Sequence, residues 1–148
     1  LLTYSRMILA NPASGEVSST KELKSTYDKQ NLEVFRANLK LINETSRMLG
    51  TKLFVVKQAT LIVPNLSEEE RGRCKYEYHG FDHNAHLDAF ASLYRIIDEE
   101  IPPEAVVDAT HLSGVPDNIH LTPLGCDRLA AVVTSALEDS VVKPSSDQ

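Results

Sequence analysis

The stretch Gly50-Thr-Lys-Leu-Phe-Val-Val-Lys57 decides the fold class that this sequence predicts. Its centre is a β-branched and aromatic run that is too short for a helix. Apolar residues continue from Ala59 to Val63, until Pro64 interrupts them. An apolar run between glycine and proline is typical of a buried strand in a parallel sheet. A second run of this kind, Ala105-Val-Val-Asp108, occurs later in the chain.

Three segments with a helical spacing of apolar residues surround these two strands. The predicted helices run from about Lys21 to Leu49, from about Asn84 to Glu99, and from Pro123, capped by Thr122, to about Glu138. The order helix, strand, helix, strand, helix indicates an open α/β layer with a parallel sheet. Because sheets normally gather about four to six strands, we expect the first half of this sheet to be missing.

Composition excludes two broad classes of function. The 148 residues include 15 Lys plus Arg against 21 Asp plus Glu, a formal net charge of −6. An acidic chain without a basic run lacks the charge pattern of a nucleic-acid binder. No apolar run approaches the roughly 18 residues that would span a bilayer.

Length and composition also predict how the chain is organised. The length and a hydrophobic share of 42% predict a single domain over residues 1–148. Residues 1–20 are expected to form an irregular lead-in, and residues 141–148 a frayed tail. The first residue is Leu1 rather than Met, so we expect sequence to be missing upstream. Cys74 and Cys126 are too few for a disulfide framework.

One loop carries a pair of residues with catalytic chemistry. Asp117 precedes His120 by three residues, after the second predicted strand and just before the last predicted helix. In open α/β sheets, sites are built on the loops beyond the carboxyl ends of the strands. An aspartate at this distance can accept a hydrogen bond from the imidazole and fix its tautomer. The other ring nitrogen can then take a proton from a nucleophile. The same spacing also fits a plain turn in which the aspartate caps backbone N–H groups.

The longer string Asp117-x-x-His120-Leu-Thr-Pro-x-Gly125-x-x-x-Leu-Ala130 resembles the last sequence block of the SGNH (GDSL-type) hydrolases. This resemblance implies a flavodoxin-like three-layer α/β/α sandwich and a serine esterase or lipase-like enzyme without a cofactor. It implies a small-molecule acyl ester as substrate, His120 as general base and then general acid, and Asp117 as the residue that orients it. The chain would be one partial hydrolase domain.

The sequence departs from the family pattern at the nucleophile and the oxyanion donors. It has neither Gly-Asp-Ser nor Gly-x-Asn-Asp, and Glu138-Asp-Ser140 lies on the wrong side of the histidine. Ser14 and Ser113 precede glycines but lack the strand-to-helix context of an exposed nucleophile. We therefore expect the intact protein to be an enzyme and the 148-residue chain alone to hydrolyse nothing.

Other residues support alternative interpretations. His79, His83 and His86 would bring three imidazoles together on a helical face, as in a zinc-binding module, but a solvated loop and helix cap explains them as well. Asp108 and His111 are second choices for the catalytic pair. Cys126 is interpreted as a packing residue. A non-catalytic flavodoxin-like interaction domain is the remaining alternative; the sequence has no glycine-rich phosphate loop to support it.

Overall fold

The structure is a computed structural model that describes residues 22–118 and 120–142. Within these residues, the chain forms four α-helices, two strands and two short 3-10 turns. The elements are α1 (Gln30–Met48), β1 (Val55–Lys57), α2 (Glu68–Arg73), the turn Tyr76–Tyr78, α3 (His83–Glu100), the turn Pro103–Ala105, β2 (Val106–Asp108) and α4 (Pro123–Val142). None of the described helices is long and apolar enough to cross a membrane.

The two strands form a small parallel sheet. Val55 lies opposite Val106, Val56 opposite Val107, and Lys57 opposite Asp108. The predicted flavodoxin-like three-layer α/β/α sandwich is wrong, because the described chain is 57% helical with only two short parallel strands. Within residues 22–118 and 120–142 each strand has one neighbour, so this part of the sheet is too narrow to carry a helical layer on each face. Residues 59–63 do not continue β1, since the Leu61 N–H instead donates to the Asn118 carbonyl (3.2 Å).

Helix α3 is the centre of the larger apolar core. Its Leu93, Ile96 and Ile97 pack with residues of α1 and β1, and Ile96 is only 2% exposed. The other buried members of this core are Leu32, Leu39, Val55 and Ile101. A smaller cluster of Ile62, Leu66 and Cys74 packs against Leu87 and Phe90. Apolar burial of this kind is the main favourable contribution to folding.

The beginnings of the helices follow signals that are visible in the sequence. The Asp82 carboxylate accepts from the Ala85 N–H (2.8 Å) at the start of α3, and the Thr122 hydroxyl accepts from the Gly125 N–H (3.1 Å) at the start of α4. Ser67 and Glu70 form a reciprocal capping box on α2. The helices predicted to begin near Asn84 and at Pro123 are therefore confirmed.

Some predicted boundaries differ from the structure. Helix α1 begins at Gln30 rather than near Lys21, because the Asp28 carboxylate accepts from the Gln30 N–H (2.9 Å) where the helix starts. Helix α4 continues to Val142, past its predicted end at Glu138. The predicted lead-in over residues 1–20, which includes Ser14, and residues 143–148 lie outside the described residues.

Ion pairs join the elements around the core. The Arg36 guanidinium of α1 binds Glu99 (2.6 Å) and Glu100 at the end of α3. Lys57, 8% exposed at the end of β1, binds the Asp98 carboxylate (2.5 Å) and lies 3.8 Å from the Asp108 carboxylate of β2. A buried lysine without such partners would be strongly destabilising, so these contacts keep the end of the sheet intact.

Replacement of Ile96 by alanine should lower the free energy of unfolding by about 3 kcal/mol, because it leaves a cavity where α3 packs against its neighbours. Leu41→Ala is the matched control, since Leu41 lies on α1 and is 65% exposed. Urea unfolding of both variants measures the difference. A cost for Ile96→Ala no larger than for Leu41→Ala would contradict this description of the core.

Candidate functional site

Asp117 and His120 are in direct contact on the loop between β2 and α4. The His120 imidazole Nδ1 lies 2.8 Å from Asp117 Oδ2 and 3.0 Å from Oδ1. The His120 backbone N–H also donates to Oδ1, at 3.0 Å. An ionised carboxylate only accepts hydrogen bonds, so this contact favours the tautomer with the proton on Nδ1.

The second nitrogen of His120 is accessible. The His120 side chain is 63% exposed, against 26% for Asp117. In the described part of the chain, Nε2 has no hydrogen-bond partner. With Nδ1 protonated and held by the carboxylate, Nε2 carries the lone pair and can accept a proton from a hydroxyl group. The catalytic role of the pair stays a prediction.

The base of this loop is closed by two glycines. The Thr122 N–H donates to the Gly114 carbonyl (2.9 Å). A Cβ on Gly125 would lie only 2.7 Å from that same carbonyl oxygen, so α4 approaches the loop more closely than any side chain would allow. Gly114 has φ +98°, a conformation that favours glycine. These contacts close the base of the loop that carries Asp117 and the exposed His120.

A cleft of about 390 Å³ lies beside the closed loop. The described loop residues on its wall are the segment 112–116 and Thr122, and Thr60 and Leu61 line it from the segment after β1. Glu70 and Arg73 of α2 add a charged edge. The cleft therefore combines an apolar wall with polar groups, although His120 itself does not line it.

The second-choice residues Asp108 and His111 do not form a comparable pair. The Asp108 carboxylate accepts from the Thr110 N–H (2.9 Å) and hydroxyl (2.6 Å), which is the turn-capping arrangement. The Thr110 hydrogen bonds, with smaller contributions from Lys57 and His111, hold the pKa of Asp108 below its ordinary value. His111 is exposed, and the structure gives no hydrogen bond between the two side chains.

The two described serines considered from the sequence, Ser113 and Ser140, each form a hydrogen bond, and both cysteines are free thiols. The Ser113 hydroxyl accepts from the Arg128 guanidinium. Ser140 lies within α4, where its hydroxyl donates to the Leu137 carbonyl (2.7 Å). Cys126 is an exposed free thiol, which corrects its interpretation as a packing residue, and Cys74 is a buried one.

The three histidines proposed for zinc are instead used in local hydrogen bonds. His83 donates from Nε2 to the Val63 carbonyl (3.1 Å) and accepts at Nδ1 from the Tyr76 hydroxyl (2.9 Å). Burial raises the pKa of Tyr76 to about 12, so that hydroxyl keeps its proton. His86 donates from Nδ1 to the Asp82 carbonyl (2.9 Å) and accepts at Nε2 from His79 Nδ1 (3.1 Å). Among the described residues, no group of three or more His, Cys, Asp or Glu could hold a metal ion.

Asn118 was not singled out from the sequence, although it lies between Asp117 and His120. It is 3% exposed and is bound through both its side chain and its carbonyl. Asparagine is common in exposed turns, so its residue type carries no signal of burial. Only its position inside the Asp-x-x-His spacing could have drawn attention to it.

Comparison of the chain with protein-family models, with curated proteins and with solved structures found no match.

Gly125→Ala should lower the free energy of unfolding by about 1–3 kcal/mol, because its methyl group would collide with the Gly114 carbonyl. Gly72→Ala is the matched control: a Cβ there meets nothing within 4 Å, and alanine should stabilise α2 by about 0.5 kcal/mol. Urea unfolding distinguishes the two. Equal effects at the two glycines would contradict the close approach of α4 to the loop.

The free energy of unfolding should also fall as the pH drops below 6.5. Burial is the main cause that lowers the pKa of His86 beneath its ordinary value of 6.5, so the unfolded chain binds the proton first. The stability that comes from keeping His86 neutral and buried is fully present above pH 6.5. It is lost as the pH falls from 6.5 through the lower pKa of His86 in the folded chain. Urea titrations between about pH 8 and about pH 5 measure the slope.

His86→Gln should flatten that slope, even if the variant is less stable throughout. The exposed His111 serves as control, and His111→Gln should leave the slope unchanged. Three carboxyl groups have pKa values below their ordinary 4.5, 4.5 and 3.8, namely Glu70, Glu100 and Asp108. Their titration therefore changes the free energy of unfolding only at more acidic pH. An unchanged slope in His86→Gln would show that another group is responsible.

Proposed function

We propose that this chain supplies the general base of a carboxylic-ester hydrolase, with His120 as the base and Asp117 as the residue that orients it. The observation that carries the proposal is the 2.8 Å contact of His120 Nδ1 with the Asp117 carboxylate, combined with an exposed imidazole. A carboxylate–imidazole pair of this kind is two thirds of a hydrolytic triad. The resemblance of residues 117–130 to the last block of the SGNH hydrolases supports the same function.

In the first half of the reaction, His120 Nε2 takes the proton from a serine hydroxyl as its oxygen attacks the ester carbonyl. The imidazolium that forms is stabilised by the Asp117 carboxylate. His120 then returns the proton to the leaving alkoxide, so that an alcohol departs and an acyl-serine ester remains. In the second half, Nε2 takes a proton from water, which attacks the acyl-serine; the carboxylic acid leaves and the serine regains its proton. If an alcohol replaces water, the same residues perform acyl transfer.

The nucleophilic serine is proposed to be absent from this chain and to come from a segment outside it. The Ser113 hydroxyl accepts from Arg128, and Ser140 lies within α4. A serine supplied from outside these 148 residues would then complete the triad. Because a base without its nucleophile retains only residual catalysis, we expect no turnover from the 148-residue chain alone.

The substrate class that the family resemblance implies is a small-molecule acyl ester, and an open cleft lies beside the loop, although His120 does not line it. The cleft's volume of about 390 Å³ falls within the roughly 300–1,000 Å³ typical of small-molecule sites. Leu61, Leu112 and Val115 give it apolar surface for an acyl chain or an alcohol group. Pro116 and Thr122 on its wall flank the segment that carries Asp117 and His120.

In the intact protein, His120→Ala should reduce kcat/KM for an aryl acetate by at least about 10³-fold, because the serine loses its general base. Asp117→Asn should also reduce kcat strongly, since an amide can donate to Nδ1 and favour the wrong tautomer. Spectrophotometric release of the phenol measures both variants. Labelling with a fluorophosphonate, followed by peptide mapping, would identify the serine.

His111→Ala is the matched control, since His111 is an exposed histidine of the segment that follows β2. It should leave turnover unchanged. Full activity of His120→Ala in the intact protein would contradict the proposed function, and loss of activity in His111→Ala alone would favour the second-choice pair. Turnover by the 148-residue chain that depends on His120 would place the serine within these residues.

A further inference from the structure

Asn118 is a buried residue that lies between the partly exposed Asp117 and the exposed His120 in the sequence. It is 3% exposed, whereas the side chains of Asp117 and His120 are 26% and 63% exposed. A polar side chain at that depth is costly unless its donors and acceptors are satisfied. Its hydrogen bonds therefore show what the residue does in the loop.

The Asn118 side chain binds the backbone of Lys75 at two points. The Lys75 N–H donates to Asn118 Oδ1 (2.6 Å), and Asn118 Nδ2 donates to the Lys75 carbonyl (3.2 Å). The amide thus pairs with one residue as a neighbouring strand would. Lys75 directly precedes the 3-10 turn Tyr76–Tyr78, so this contact joins the loop to the segment that holds His83 through Tyr76.

The main-chain carbonyl of Asn118 binds a second segment. It accepts from the Thr60 hydroxyl (2.6 Å) and from the Leu61 N–H (3.2 Å). Asn118 is therefore held from two directions, 43 and 58 residues away in the sequence. Four hydrogen bonds on one residue leave its backbone little freedom.

We propose that Asn118 is a positioning residue: it keeps the Asp117 carboxylate in hydrogen-bond contact with the His120 imidazole. The catalytic significance of this role rests on the proposed function. Asp117 is adjacent to Asn118, so anchoring the Asn118 backbone limits where the Asp117 carboxylate, the acceptor for His120 Nδ1, can lie. His120 is mostly exposed and Asp117 is its hydrogen-bond partner. Its orientation therefore depends on the loop backbone rather than on surrounding packing.

The chemistry of the contact selects asparagine. Alanine would leave the Lys75 N–H and carbonyl without their partner. Aspartate would keep the acceptor for the Lys75 N–H but would lose the donor and bury a charge. Each substitution removes part of the anchor without touching Asp117 or His120 directly.

The test is the tautomer of His120, measured from its imidazole ¹⁵N shifts in the 148-residue chain at a pH where the ring is neutral. In the unmodified chain we expect the Nδ1–H form to predominate, because the carboxylate accepts that proton. Asn118→Ala should shift the ratio of the two tautomers by about tenfold toward the Nε2–H form, which is the bias that one charge-assisted hydrogen bond supplies. Asn65→Ala, at an exposed asparagine, should not change the ratio.

Thr60→Val is the second variant and answers the question even if Asn118→Ala does not fold. It conserves side-chain volume and removes the hydroxyl that donates to the Asn118 carbonyl, so a smaller shift in the same direction is expected. An unchanged tautomer ratio in every folded variant would overturn the positioning role, while esterase activity that depends on His120 would still stand. A shifted ratio in a protein without esterase activity would support the positioning role and refute only the proposed function.

Discussion

The packing of α3 is the constraint on which the rest of the described structure depends. Leu93, Ile96 and Ile97 bury against α1 and β1, and β2 then pairs with β1 in parallel register. Burial of these side chains is the main term that offsets the conformational entropy of ordering the chain. Because Lys57 and Asp108 end the paired strands side by side, the loop after β2 starts from a fixed point.

That loop is held by polar contacts rather than by an apolar core. Asn118 binds two distant segments, and the Gly114–Gly125 approach closes the loop against α4. This arrangement anchors the loop at Asn118 and at its base, while the His120 imidazole stays exposed. A general base needs such a combination, since it must reach a substrate and yet keep its orientation.

The histidines show how environment determines the chemistry of one residue type. His86 is fully buried, with both ring nitrogens hydrogen-bonded and its pKa lowered mainly by burial. His83 is likewise bound at both nitrogens and supports the start of α3. His120 has one nitrogen held by a carboxylate and the other accessible. Only the third arrangement is suited to accept a proton from a substrate or a nucleophile.

The sequence by itself determined the local features: the Thr122 cap of α4, the valine pairs of both strands, and the Asp-x-x-His spacing in the loop. These are short-range effects, because a cap or a β-branched pair acts on neighbouring backbone groups. Only the tertiary structure decided that the sheet of the described residues has two strands, that His86 is buried and His120 exposed, and that Asn118 anchors the loop. Those outcomes depend on contacts between residues tens of positions apart, such as Asn118 with Thr60, which no local pattern encodes.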